Sequence, residues 1–173
     1  IQQQTRHVTV QGVETEQGYI SCEYFVNTAG IWAREIGRKT KPPVRIPICP
    51  AEHFFMTYKP HKDLEGRNLP NVRDYDNQVY VRQFGSSFMM GAFEREARPY
   101  DVVKHGTDPD WNQIKEEHWN HMRPYIKAAQ DRLPILKEME YTHDALLNNP
   151  DAFTPDGRWI LGETPEVGKY FVS

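Results

Sequence analysis

Three side chains in the middle of the sequence have types and spacing that suit binding of a small zwitterion. Tyr80 and Arg82 lie two residues apart in a predicted strand, so they project from the same face. His53 lies in another predicted strand, between Glu52 and Phe54. Arginine can hold a carboxylate with two hydrogen bonds, histidine or tyrosine can handle the amine proton, and aromatic faces favour an alkylated ammonium. We therefore predict His53, Tyr80 and Arg82 as candidate catalytic residues.

The same residues also allow a structural role. Arg82 can pair with an acid such as Asp74 or Glu94, and His53 can be a core histidine with satisfied hydrogen bonds. Structural ion pairs are common in proteins, so spacing alone does not separate the two interpretations.

A second candidate site is a predicted strand, turn and helix. The apolar residues 24–26 are followed by the small residues Thr28, Ala29 and Gly30, and helical spacing begins at Trp32. Glycine lets a ligand or another backbone come close, and ligands of open sheets bind beyond the carboxyl ends of strands. The turn therefore indicates either a ligand site or a packing turn.

Composition limits the classes of protein to consider. The chain has 173 residues, with 38% apolar and 26% charged side chains, which is typical of a globular domain. Its net charge of −3 comes from 21 basic and 24 acidic residues mixed along the chain, so no basic stripe indicates nucleic acid. No apolar run approaches the ~18 residues of a membrane span. Cys22 and Cys49 are too few for a disulfide framework and favour a reducing compartment.

The chain opens without a methionine and closes on an apparent strand over residues 169–173, so we expect an internal part of a longer protein. Residues 7–26 have the alternation of a β-hairpin with a turn at 16–18. A helix over 32–39 should end before Pro42, because proline disfavours helix in the residue before it.

The central part predicts an antiparallel sheet. Its strands are a β-prone run over residues 46–58 and two further strands over 79–84 and 88–93, joined by a short turn at 85–87. Residues 61–77 are rich in proline, asparagine, aspartate and glycine, which predicts a long loop.

A helix should follow the sheet. Asp108 and Pro109 are typical of a helix start, Pro124 should kink or restart the helix, and Pro134 should end it. Its predicted buried face consists of Trp111, Ile114, His118, Met122 and Ile126. Residues 153–162 then predict a turn and a strand.

Metal and phosphate motifs are absent from the sequence. His118 and His121 lie three residues apart beside Glu117, but no third ligand is singled out, so we expect a polar helix face and no metal. No P-loop, G-x-G-x-x-G or G-x-S-x-G occurs, so this chain alone cannot build a standard phosphate-binding turn.

Six stretches, in order, resemble one family. They are 26–37 (VNTAGIWAREIG), 52–55 (EHFF), 69–74 (LPNVRD), 79–82 (VYVR), 91–94 (GAFE) and 153–163 (FTPDGRWILGE). The sequence is similar to FAD-dependent oxidoreductases of the D-amino-acid oxidase superfamily. The likeness is to the mitochondrial branch of sarcosine dehydrogenase, dimethylglycine dehydrogenase and the regulatory subunit of pyruvate dehydrogenase phosphatase. The sequence departs from this branch at Thr28, where cysteine or alanine is usual.

The resemblance implies an α+β fold, with a mostly antiparallel substrate-binding sheet covered by helices and a remnant of an FAD-binding α/β domain. Its implied boundaries are 1–45 for part of the FAD-binding domain, 46–150 for the substrate-binding domain and 151–173 for the return. Thr28, Ala29, Gly30 and Trp32 would then lie against FAD, whose major binding elements belong to other parts of the protein. His53 and Tyr80 match substrate-side positions, and Arg82 follows by its place on the same face.

The implied activity is hydride transfer from an N-methyl amino acid of the sarcosine or dimethylglycine type to FAD. The resemblance also implies the mitochondrial matrix and a folate-binding part outside this chain. The alternative is a non-catalytic regulatory subunit whose partner is the phosphatase catalytic subunit. No nucleic-acid or membrane partner is expected.

Overall fold

A computed structural model describes residues 8–105 and 113–173. The chain divides into two compact units, one formed by the residues up to Pro50 together with Ala152–Ser173, and the other by Ala51–Asp151. Within the described ranges, no helix has the length and apolar character that a membrane span requires.

Short strands dominate both units. In chain order they are β1 (Gly12–Thr15), β2 (Gly18–Ser21), β3 (Phe25–Asn27), β4 (Cys49–Ala51), β5 (Phe54–Thr57), β6 (Val72–Asp74), β7 (Val79–Phe84), β8 (Ser87–Ala92), β9 (Leu146–Asn148), β10 (Asp151–Phe153), β11 (Gly162–Glu163) and β12 (Tyr170–Val172). The α-helices are α1 (Ala33–Arg38), α2 (Val102–His105) and α3 (Glu116–Arg132). Turns of 3₁₀-helix occupy Gly30–Trp32, Lys62–Leu64, Pro134–Lys137 and His143–Ala145.

The predicted hairpin of the first unit is shorter than expected. Only β1 and β2 pair as a hairpin, with Thr15 opposite Gly18. Thr9 forms a parallel bridge with Gly168, and β3 pairs in parallel with β12. The prediction of one hairpin over residues 7–26 is therefore wrong in extent, because distant residues near the end of the chain take the remaining backbone hydrogen bonds. Of that range, His7 lies outside the described residues.

The helix of the first unit lies where the sequence predicts it. A 3₁₀ turn at Gly30–Trp32 leads into α1, which ends at Arg38 before the prolines. The unit has its own apolar core, which includes Ala33, Val44, Ile46, Ile48, Val167, Tyr170 and Val172. In this unit β11, β12 and β3 form one sheet in that order.

The second unit is built on a five-stranded antiparallel sheet with the order β6-β7-β8-β5-β9. Strand β7 lies at the predicted place, and β8 begins one residue earlier than predicted. The two strands are joined by the two-residue turn of Gly85 and Ser86, where the sequence predicts a turn over 85–87. The predicted strand over 46–58 is divided into β4 and β5, with His53 between them. The predicted loop over 61–77 is partly wrong, because it contains β6, a strand defined by its pairing with β7.

Helix α3 packs against one face of this sheet. Its buried residues are His118, Trp119, Met122, Ile126 and Ala129, and they meet β-strand side chains such as Phe54, Met56, Val81 and Met90 in one core. Burial of His118 confirms its place on the predicted buried face and corrects the other expectation, that it lies with His121 on a polar face. The predicted helix start at Asp108 and Pro109, with Trp111, lies outside the described residues.

Pro124 does not interrupt α3, so the predicted restart is wrong. Proline removes the amide hydrogen that would bond to the carbonyl of Asn120. Both residues are exposed, so water can take that bond and the helix continues to Arg132. The helix ends before Leu133 and Pro134, as predicted.

Candidate functional site

His53 is fixed just before β5 by hydrogen bonds from three sides. Its Nδ1 lies 3.3 Å from Oε2 of Glu94, whose side chain is only 2% exposed. Its backbone N–H donates to Oδ1 of the buried Asn148 at 3.3 Å, and its carbonyl accepts from Asn149 N at 2.9 Å. A neutral imidazole that donates its Nδ1 hydrogen to Glu94 keeps a free lone pair on Nε2. His53 can therefore accept a proton from a ligand.

The ring of Phe93 contacts the side chains of both His53 and Tyr80. Its ring centroid lies 5.5 Å from that of His53 and 5.4 Å from that of Tyr80. The guanidinium carbon of Arg73 lies 4.3 Å from the same ring, a cation–π distance. An imidazole, a phenol and a guanidinium therefore surround one aromatic side chain on the sheet face opposite α3.

Tyr80 is held over a glycine of the neighbouring strand. In the sheet, Tyr80 lies opposite Gly91 on one side and opposite Arg73 on the other. A Cβ on Gly91 would collide with the hydroxyl oxygen and the ring of Tyr80. Burial raises the pKa of Tyr80 above its ordinary value, and Glu94 raises it further, while Arg82 and Arg73 oppose the shift. The phenol is therefore a hydrogen-bond donor at neutral pH.

Arg82 shares the face with Tyr80, as the two-residue spacing predicts, but it does not reach His53's carboxylate partner. Its Nε lies 3.3 Å from Sδ of Met89, and its guanidinium carbon lies 5.8 Å from the ring of Phe84. The two acids considered as structural partners are engaged elsewhere, Glu94 with His53 and Asp74 with Asn77 and Arg132.

His118, in contrast, belongs to the interior. It lies 5.3 Å from Phe54 between ring centroids, and its Nδ1 accepts from the backbone N–H of Lys115. Burial lowers the pKa of His118, while the charges of Glu52 and Glu117 oppose that shift. Among residues 8–105 and 113–173, no three histidine, cysteine, aspartate or glutamate side chains are arranged to hold a metal ion.

The turn after β3 in the first unit is organised by Asn27, which is 1% exposed. Its Nδ2 donates to the carbonyl of Ala33 at 2.9 Å and to the hydroxyl of Tyr170 at 2.8 Å, and its Oδ1 accepts from Ala29 N at 3.2 Å. Gly30 has a φ of 53°, and nothing lies within 4 Å of where its Cβ would be. The hydrogen bonds of Asn27 therefore fix the turn, and the space next to the α-carbon of Gly30 is open.

A cavity of about 590 Å³ lies beside this turn within the first unit. It is lined by Gly30, Ala33, Ile46, Ile48, residues 152–154 and 157–161, Val172 and Ser173. Gly30 and Val172 belong to the carboxyl-terminal edge of the parallel strands β3 and β12. Of the four predicted cofactor residues, only Gly30 lines the cavity. Thr28 and Trp32 are exposed, and Ala29 packs partly against the core.

Comparison with known families gives the classification. The family model described as FAD dependent oxidoreductase, DAO, matches residues 1–173. The chain belongs to this family. The solved structures agree on the fold, since L-proline dehydrogenase from P. horikoshii superposes with a TM-score of 0.73, at 22% identity, over 94% of this chain and 39% of that one.

Two curated relatives of the DAO family chain come from mammalian mitochondria. The pyruvate dehydrogenase phosphatase regulatory subunit of Mus musculus is 37% identical over 94% of this chain and 18% of its own length. Sarcosine dehydrogenase of Homo sapiens is 32% identical over 94% of this chain and 17% of its own length. The chain thus spans less than a fifth of the length of either relative.

In this DAO family chain, sequence reasoning missed Phe93 and Arg73, and it named Glu94 only as a possible partner of Arg82 and not of His53. Phe93 and Glu94 lie in the stretch 91–94 that carries the family resemblance, and alternation along β8 could have placed Phe93 on the face of Gly91. Arg73 lies in residues predicted as a loop, so no periodicity indicated its direction. Only the pairing of Arg73 with Tyr80 shows on which face of the sheet the Arg73 side chain lies.

Replacing Asn27 with alanine is expected to lower the free energy of unfolding of the complete DAO family protein by about 1–3 kcal/mol, because the carbonyl of Ala33, the hydroxyl of Tyr170 and the backbone N–H of Ala29 lose their hydrogen-bond partner. Chemical denaturation followed by fluorescence measures the change. Thr28→Ala at the neighbouring exposed position is the matched control and should stay near wild type. Equal stability of both variants would show that Asn27 does not hold the turn.

Proposed function

We propose that the complete protein is an FAD-dependent oxidoreductase that oxidises an N-methyl amino acid of the sarcosine or dimethylglycine type. The observation that carries the proposal is the arrangement of His53, held by Glu94, with Tyr80 around Phe93 on one open sheet face. Membership of the DAO family supports the reaction class.

In this proposal the first unit is the remnant of an FAD-binding α/β domain. Support comes from the carboxyl-terminal edge of β3 and β12, the open turn at Gly30 and the adjacent apolar cavity. Gly30 lets a flat ring system come close, and the 88% exposed Trp159 offers an aromatic surface beside it. Thr28, Ala29 and Trp32 complete the predicted cofactor contacts. Bound FAD supplies the two-electron acceptor for the carbon beside the amine nitrogen.

The residues of the second unit prepare the amine. Only the neutral amine has a nitrogen lone pair available for oxidation, so a base that takes the ammonium proton increases the reactive fraction. His53 serves as that base through Nε2, since Nδ1 faces Glu94. The phenol oxygen of Tyr80 can accept a hydrogen bond from an N–H of the ligand, which leaves the nitrogen lone pair free. The Phe93 ring favours an alkylated ammonium. Arg82 is proposed to bind the carboxylate.

Replacing Arg82 with alanine should raise KM for a carboxylate substrate about tenfold, because a charge-assisted hydrogen-bond pair contributes roughly the 1.4 kcal/mol that corresponds to that factor. Steady-state kinetics on the complete protein measure the effect. Arg67→Gln, at an exposed arginine before β6, is the control and should leave KM unchanged. An unchanged KM in Arg82→Ala would assign Arg82 to packing against Met89.

The runner-up function is that of a non-catalytic regulatory subunit, and the specific observation in its favour is the higher identity, 37% against 32%, to such a subunit. Anaerobic mixing of the complete, FAD-loaded protein with sarcosine or dimethylglycine separates the two. Flavin bleaching supports the oxidoreductase. Absence of bleaching, together with altered magnesium sensitivity of the phosphatase on addition of the protein, supports the regulator and a phosphatase catalytic subunit as partner.

The mitochondrial matrix is the proposed location, supported by the mitochondrial names of the curated relatives. Folate binding, if the dehydrogenase proposal holds, belongs to a part of the complete protein outside this chain. Both statements can be tested on the complete protein, by import into isolated mitochondria and by folate titration.

A further inference from the structure

Two guanidinium groups flank Tyr80 on the open face of the sheet. Arg73 lies directly opposite Tyr80 in the pairing of β6 with β7, and Arg82 lies two residues further along β7. Both arginines are exposed. Because side chains two residues apart share a face, both guanidinium groups are on the side of the sheet that carries Phe93.

The two guanidinium groups extend towards opposite ends of β7. Arg73 contacts the rings of Phe93 and Tyr75, at 4.3 Å and 5.2 Å from their centroids. The backbone N–H of Phe93 donates a hydrogen bond to the carbonyl of Gln78, the residue just before β7. Arg82 instead contacts Phe84, the last residue of β7. The two guanidinium groups are therefore two separate points at which a carboxylate can bind.

Neither guanidinium forms an ion pair with an acid in the part of the chain that the structure describes. Glu94 uses one carboxylate oxygen for His53 and the other for the backbone N–H of Phe54. Asp74 accepts from Asn77 and lies 3.9 Å from Arg132. Two like charges beside one ligand site attract a ligand that carries two negative groups.

We propose that Arg73 is a specificity residue and that, among N-methyl amino acids, the protein prefers one with two acidic groups, the first bound by Arg82 and the second by Arg73. This inference rests on the proposed function for the amine chemistry at His53 and Tyr80. A monoacid such as sarcosine satisfies a single guanidinium. An N-methyl amino acid with an acidic side chain satisfies both, each with the two parallel hydrogen bonds that arginine offers to a carboxylate.

The first experiment measures binding without turnover. Isothermal titration of the complete protein with succinate and with acetate compares a diacid with a monoacid. In wild type we expect succinate to bind at least about tenfold more tightly, because a second charge-assisted contact is worth about that factor. Arg73→Gln should reduce the succinate affinity to that of acetate, and Arg73→Lys should restore part of the preference. The control Arg67→Gln should behave as wild type.

The second experiment measures flavin bleaching by N-methylaspartate, N-methylglutamate and sarcosine. We expect a higher kcat/KM for one of the diacids and a loss of that preference in Arg73→Gln. Equal binding of succinate and acetate by wild type, or equal weakening of both in Arg73→Gln, would overturn the inference. A succinate preference without bleaching by any amine would retain the diacid site and refute the oxidoreductase. Bleaching by sarcosine without a succinate preference would retain the oxidoreductase and refute the diacid site.

Discussion

Replacing Glu94 with glutamine in the complete protein is expected to lower kcat/KM for the proposed amine substrate about 10- to 100-fold, the scale of effect seen when a group that orients a functional histidine is changed. The carboxylate accepts the hydrogen on Nδ1 of His53 and leaves Nε2 free. A glutamine amide can donate to Nδ1 instead, which places the hydrogen on Nε2 and blocks proton acceptance. Glutamine also keeps an oxygen for the backbone N–H of Phe54.

The control variants separate this effect from a loss of structure. His53→Gln should cost roughly 10²- to 10⁴-fold in kcat/KM because the base itself is removed. Glu140→Gln, at an exposed glutamate paired with Lys59, should leave kcat/KM unchanged. The melting temperature of Glu94→Gln should stay near that of wild type, because glutamine still accepts from the backbone N–H of Phe54. A kcat/KM equal to that of wild type in Glu94→Gln, with an unchanged melting temperature, would remove Glu94 from the proposal.

Local patterns were enough to predict one half of the sheet face that carries Tyr80. Two-residue alternation places Tyr80 and Arg82 on one side of β7. The register that brings Tyr80 opposite Gly91 differs from the prediction by one residue, because the turn consists of Gly85 and Ser86 and not of residues 85–87. These features depend only on residues close in sequence. The shared face of Tyr80 and Arg82 can therefore be predicted from the sequence.

The other half depends on contacts between distant residues. Glu94 is 41 residues from His53, and Asn27 is 143 residues from Tyr170. Arg73 is directed towards Phe93 only because a three-residue edge strand pairs with β7. No propensity or period in residues 61–77 indicates that strand, since its hydrogen bonds come from the partner. The same reason explains why the parallel pairing of β3 with β12 was not predicted.

Replacing Gly91 with alanine is expected to lower the free energy of unfolding by about 1–3 kcal/mol, the usual cost of an added group in a tightly packed place. The new Cβ meets the hydroxyl oxygen and ring of Tyr80, and Gly91 itself is buried, so the Tyr80 side chain must move. Because Tyr80 then leaves Phe93, kcat/KM should fall more than about tenfold, as misplacement of a catalytic group by about 1 Å can cost 10²-fold. Urea denaturation and steady-state kinetics measure the two effects.

A double-mutant cycle tests whether the collision with Tyr80 is the cause. In a Tyr80→Ala background the space above Gly91 is empty. Adding Gly91→Ala should therefore lower the free energy of unfolding by less than about 0.5 kcal/mol, the usual range for surface substitutions. The coupling between the two positions should therefore account for most of the loss seen in Gly91→Ala alone. An equal loss of stability in both backgrounds would mean that Gly91 is required by the backbone of β8 and not by the ring of Tyr80. In that case the position of Tyr80 would depend on Phe93 and Arg73.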